Sequence, residues 1–184
     1  MNYAVIKKND IANGPGVRVS LFVSGCRHRC KNCFNAMAWD FRYGEKFTDE
    51  TADEILKAVS PEYIDGLSLL GGEPFEKENA PELLNLVLAF KEHFPNKNVW
   101  CYSGFLFEDL YGGKQGEAAK KLLEACDVLV DGKFVEELKC ESLLFRGSSN
   151  QRIIDVKKSV SENRAVLLDG KWERTMGSGD IYEV

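Results

Sequence analysis

Four short apolar runs, at residues 16–24, 66–70, 98–102 and 127–131, are separated by segments of helical length, and this alternation confines the chain to a parallel α/β architecture. The first run sets Val17, Val19, Leu21 and Val23 against Arg18 and Ser20, the period of a strand. The later runs are closed by Gly71-Gly72, Ser103-Gly104 and Gly132. Thr48 followed by Asp49 and Glu50 marks a helix start, with Ala52, Ile55, Leu56 and Val59 at helical spacing and Pro61 beyond. Pro81 opens a second helix through Leu83, Leu86, Val87 and Phe90, and residues 117–125 form a third. Residues 25–47 lack a period and are predicted to be a long functional loop.

Crossovers between parallel strands are right-handed. A closed eight-fold barrel needs ~250 residues, and the chain has 184. The predicted fold class is therefore α/β, a partial, open parallel βα barrel. Residues 1–156 are expected to form one domain, with 157–184 as an extension that is mobile after Asp169.

The net charge of −5 and the lack of a basic stripe argue against a nucleic-acid binder. No stretch approaches the ~20 apolar residues of a membrane span. The segment 1–10 carries Lys7, Lys8 and Asp10 and has no signal-type apolar region, so a cytoplasmic location is expected. In that compartment six cysteines are not read as disulfides; three of them fall within eight residues, while Cys101, Cys126 and Cys140 are scattered. Cys101 and Cys126, in or beside apolar segments, read as small buried apolar residues.

In parallel α/β folds ligands bind at the carboxyl ends of strands. Here those ends carry Cys26, then Gly71-Gly72-Glu73, then Ser103, then Asp131 and Lys133. The segment Cys26-Arg-His-Arg-Cys30-Lys-Asn-Cys33 offers soft thiolate ligands to an iron–sulfur cluster or to zinc. Three cysteines on one loop leave one iron of a cubane cluster without a protein ligand, a place for substrate. Structural zinc needs four ligands; His28 is the candidate fourth, but it lies inside the first cysteine gap, where the chelate ring is strained. Gly71-Gly72-Glu73-Pro74 alone is a tight turn; Glu73 can also accept hydrogen bonds from an ammonium group.

The C-x3-C-x2-C spacing resembles the signature of the radical S-adenosylmethionine superfamily. That resemblance implies a [4Fe–4S] cluster on Cys26, Cys30 and Cys33, with the amino and carboxylate groups of S-adenosylmethionine on the open iron. Asn32 stands where the superfamily often has an aromatic residue, and Phe34 is placed to cover the adenine. Gly71-Gly72-Glu73 resembles the superfamily's motif for the methionine amino group. Asp131-Gly-Lys133 resembles the D-x-K element of glycyl-radical-enzyme activators, near the carboxylate of the cofactor, and Ser103 joins the same rim.

Further segments, SLFVSGCRHRCKNCFN, LLGGEP, CYSGF, DVLVDGKF and LFRGSSNQRIID, are similar to activators of anaerobic ribonucleoside-triphosphate reductase over residues 1–156. The resemblance implies an oxidoreductase that cleaves S-adenosylmethionine and places a glycyl radical on that reductase, with an electron donor such as flavodoxin. Arg146 and residues 147–152 are expected to face the partner or the open edge of the sheet. Three other readings stay open: an activator of another glycyl radical enzyme such as pyruvate formate-lyase, a radical enzyme acting on a small molecule, and a non-catalytic zinc-binding interaction module.

Overall fold

The computed structural model describes residues 1–170. The expected mobility of the tail falls on residues 171–184, which lie outside the described residues. In chain order the elements are β1 (Asn2–Asp10), β2 (Arg18–Val23), β3 (Glu45–Lys46), α1 (Asp49–Val59), β4 (Gly66–Gly71), α2 (Ala80–His93), β5 (Asn98–Tyr102), α3 (Phe107–Tyr111), α4 (Glu117–Ala125), β6 (Val128–Asp131), β7 (Arg152–Asp155) and α5 (Val156–Glu162).

One seven-stranded sheet runs β3-β1-β2-β4-β5-β6-β7. Its four central strands are the four apolar runs, paired in parallel. The alternation did not anticipate the flanks: β1 and β3 extend one side antiparallel and β7 closes the other antiparallel. The sheet does not close on itself, and β3 and β7 are its edges.

The central strands are buried on both faces, as parallel strands usually are. On one face Val19, Leu21, Leu67, Leu69, Val99 and Leu129 pack with Leu83, Val87 and Phe90 of α2 and Leu122 and Leu123 of α4. Alternate residues on the other face include Trp100, Val128, Val130 and Ile153, covered by Phe145 and Leu168. Arg18 lies among them, with no carboxylate partner among the described residues. Its guanidinium donates to Ser68 Oγ (2.7 Å), Leu67 O (2.9 Å) and Asn98 O (3.2 Å), and burial pulls its pKa down to about 10.

Local chemistry agrees with these elements. Thr48 caps α1 by a reciprocal box with Thr51, and Ile55 and Val59 bury its inner face. Asp155 caps α5, whose Val156 joins the main core. The chain then bridges Leu167 to Ile154, so β7 does not present a bare edge. No helix among the described residues is long and apolar enough to cross a membrane.

Candidate functional site

The carboxyl ends of β2, β4, β5 and β6 meet at one rim, and the cysteine loop is laced across it. At its base, Gly25 N–H donates to Ala38 O (2.8 Å) and Cys26 N–H to Trp39 O (3.3 Å). The turn after β4 holds it from the other side: Glu73 N–H donates to Gly25 O (2.8 Å). Buried Asn79 donates from one amide to both Ser24 O (3.0 Å) and Glu73 O (2.9 Å). Glu76 accepts the Arg27 N–H (2.9 Å), and the Arg27 guanidinium spans Glu76 and Glu78. A cavity of about 490 Å³ opens beside Cys26, lined among others by Arg27, Arg29, Arg42, Trp39 and Phe41.

Two of the glycines in this lacing show how tightly it is packed. Gly71 has φ +107, and a Cβ there would lie 2.8 Å from the Phe22 backbone. Gly104 would put a Cβ 2.4 Å from the His28 ring.

Glu73 is the centre of the rim. It is 1% exposed, and four donors converge on its carboxylate. Oε1 accepts from Phe75 N–H (2.9 Å) and Ser103 Oγ–H (3.0 Å). Oε2 accepts from Gly104 N–H (2.8 Å) and His28 Nε2–H (2.8 Å). The His28 ring also stands edge-on to Phe105, with centroids 4.4 Å apart. His28, the candidate fourth zinc ligand, thus turns its Nε2 to a carboxylate.

The three clustered cysteines are half-buried and free. Burial pushes the Cys26 thiol up to about 11, against the backbone N–H groups of His28 and Arg29 that point to it. Burial also raises Cys30, which the Phe134 N–H and the Lys133 charge oppose. Among the described residues no three of His, Cys, Asp and Glu form a ready-made group for a metal ion. As a donor set, three thiols on one loop, served by backbone N–H groups, fit an iron–sulfur cluster, whose iron charge would displace the thiol protons.

The remaining predicted residues divide. Ser103 touches Glu73, and Lys133 is exposed at the end of β6 near Cys30. Asn32 and Phe34 stand exposed on the outer turn, Phe34 at 87%. Asp131 is fully buried and engaged: Arg152 donates to both oxygens, the Phe107 N–H also donates to Oδ2 (2.8 Å), and Arg152 continues to Glu108. Arg146 is half-buried and donates to Gln151 O (3.2 Å) within the turn before β7.

Asn79 is the rim residue that no motif marked; His28, Gly104 and Arg152 lie inside quoted segments, but their contacts with Glu73 and Asp131 were not read from them. The only local signal for Asn79 is proximity to motif residues; the pairings join positions 21 to 55 apart in sequence.

Two predictions arise here. Asp131→Ala leaves Arg152 with Glu108 alone and the Phe107 N–H without its acceptor; with Arg152 a third exposed, the loss is about 2–3 kcal/mol, below the range for a fully buried pair. Urea unfolding measures it, and an unchanged midpoint would contradict the strut. Gly104→Ala drives the His28 ring off Glu73 at a cost of about 1–3 kcal/mol. Most of that cost disappears when His28→Ala is already present, so a double-mutant cycle shows strong coupling; additive losses would contradict the contact.

Residues 12–154 match the family described as a 4Fe-4S single cluster domain. Three curated relatives are named anaerobic ribonucleoside-triphosphate reductase-activating protein. That of Enterobacteria phage T4 is 44% identical over 153 residues, covering 83% of this chain and 93% of its own length. That of Escherichia coli strain K12 is 40% identical over 153 residues, 82% of this chain and 96% of the relative. That of Vibrio cholerae is 41% identical over 155 residues, covering 83% and 97%.

Proposed function

The chain belongs to the family of anaerobic ribonucleoside-triphosphate reductase-activating proteins, and from that premise we propose that it is a radical S-adenosylmethionine enzyme that activates such a reductase. The observation that carries this reading is the convergence on one rim of the C-x3-C-x2-C loop and the buried Glu73. In this reading the open sheet is the partial barrel of that superfamily.

Cys26, Cys30 and Cys33 would hold the [4Fe–4S] cluster. When bound, the cluster supplies the electron that cleaves S-adenosylmethionine into methionine and a 5′-deoxyadenosyl radical, which takes a hydrogen from a glycine Cα of the reductase. The protein's own part is to seat and orient the cofactor. Glu73, which His28 of the cysteine loop and Ser103 just after β5 both reach, would receive the amino group. Gly71 and Gly72 let the backbone approach closely, and Ser103 fixes Glu73 from the side. Asn32 and Phe34 would serve the adenine, and Lys133 the carboxylate. Asp131 would have to release Arg152 to touch the cofactor.

The site lies at the strand ends, where the reductase would complete its walls, with Arg146 on the facing surface. A donor such as reduced flavodoxin would deliver the electron, in a cytoplasmic setting. The test is to mix the reduced, cluster-loaded protein with S-adenosylmethionine and the reductase without oxygen. A glycyl-radical resonance on the reductase is expected. Its absence, with the cluster and cofactor intact, would reject this partner and favour another glycyl radical enzyme.

A further inference from the structure

We propose that His28 is a positioning residue that occupies the amino-group seat on Glu73 until the ammonium of S-adenosylmethionine displaces it. This rests on the reading of Glu73 given above. A carboxylate at 1% exposure left without donors is costly, so the ligand-free protein must satisfy it internally. Its two oxygens accept about four hydrogen bonds, and four donors are in place: Phe75 N–H, Gly104 N–H, Ser103 Oγ–H and His28 Nε2–H. An arriving ammonium must therefore replace one of them.

Three of the four are fixed. Phe75 and Gly104 donate from the main chain. The Ser103 hydroxyl oxygen also accepts the Phe105 N–H (2.9 Å), which locks its rotamer. His28 alone donates from a ring that side-chain rotation can withdraw without breaking a main-chain hydrogen bond. Its seat is nevertheless built, since Gly104 lacks the Cβ that would collide with the ring and Phe105 stands against it. A ring with a shaped resting place that can leave by rotation about its own side-chain bonds suits a group that yields its seat on demand.

The chain has two histidines, so the cluster-loaded protein with 15N-labelled histidine gives two ring systems. On saturation with S-adenosylmethionine the His28 Nε2–H resonance is expected to leave its hydrogen-bonded position. His93, whose Nδ1–H faces Ala89 O (2.8 Å) far along α2, stays as the reference. In equilibrium dialysis with the radiolabelled cofactor, His28→Ala binds about tenfold tighter, because it no longer competes for the seat. His28→Gln, which keeps a donor, stays near the wild-type value.

An unmoved His28 resonance at saturation overturns the proposal. So does weaker binding by His28→Ala with iron and sulfide content intact, which would make His28 a fixed strut. If His28→Ala fails to assemble a cluster, the wild-type resonance decides. If the wild-type protein binds no S-adenosylmethionine, the reading of Glu73 falls first, and this inference with it.

Discussion

Cys30→Ala, like Cys26→Ala and Cys33→Ala, is expected to leave the protein folded, without an iron–sulfur cluster, and unable to generate any radical on the reductase. The fold does not depend on these side chains. They are half-buried on a loop that is held by Arg27, Asn79 and Glu73, and the main core contains none of them. Their loss removes ligands rather than packing. The other three cysteines supply the contrast. Cys101 and Cys126 are fully buried in the main core, and Cys140 interacts with Ser142 (3.1 Å). Cys126→Ala opens a small void costing about 1–2 kcal/mol and keeps its full iron content. Cys140→Ser leaves iron content unchanged. Iron and sulfide analysis with urea unfolding separates the two groups. A Cys30→Ala protein that still carries a full cluster would refute the ligand assignment.

Glu73→Gln is expected to weaken S-adenosylmethionine binding by about 10- to 100-fold, the cost of removing a charged acceptor from an ammonium, and also to destabilise the protein. The substitution preserves size but not donor balance. Each carboxylate oxygen accepts from a fixed backbone N–H, Oε1 from Phe75 and Oε2 from Gly104. Whichever way the new amide turns, its NH2 faces one of those donors in a buried site. One such confrontation costs about 1–3 kcal/mol, which lowers the melting temperature by about 2–4 °C per kcal/mol in a chain of this size. Thermal unfolding and equilibrium dialysis read the two effects separately. Glu73→Gln with wild-type affinity would remove Glu73 from the amino-group site, whatever happens to stability.

The sequence was most legible where chemistry repeats along the chain. The four parallel strands are short apolar runs, each closed by a glycine-bearing turn, and the helices between them carry a clear period. β1 was not legible because residues 6–10 read IKKND and the strand faces solvent over much of its length. An outer antiparallel strand needs little apolar sequence. α3, with five residues, is too short to show a helical period, and β7 exposes only Ile153 and Ile154 as apolar signals. The cysteine loop and the Gly71-Gly72-Glu73 turn were legible as local motifs. What joins them was not: the His28–Glu73 and Arg27–Glu76 pairs span 45 and 49 positions and exist only once β2 and β4 lie side by side. Asp131 carries a second pairing that its motif does not show. Its motif letters fit a cofactor role, while Arg152, 21 residues away, takes both of its oxygens.

The measurement that bears most directly on the central claim is the electron paramagnetic resonance spectrum of the anaerobically reconstituted, reduced protein, recorded with and without S-adenosylmethionine. The account predicts a reduced [4Fe–4S] signal that changes shape when the cofactor is added and is missing in Cys26→Ala. A preparation that binds zinc without inorganic sulfide, or a cluster signal indifferent to S-adenosylmethionine, would contradict it.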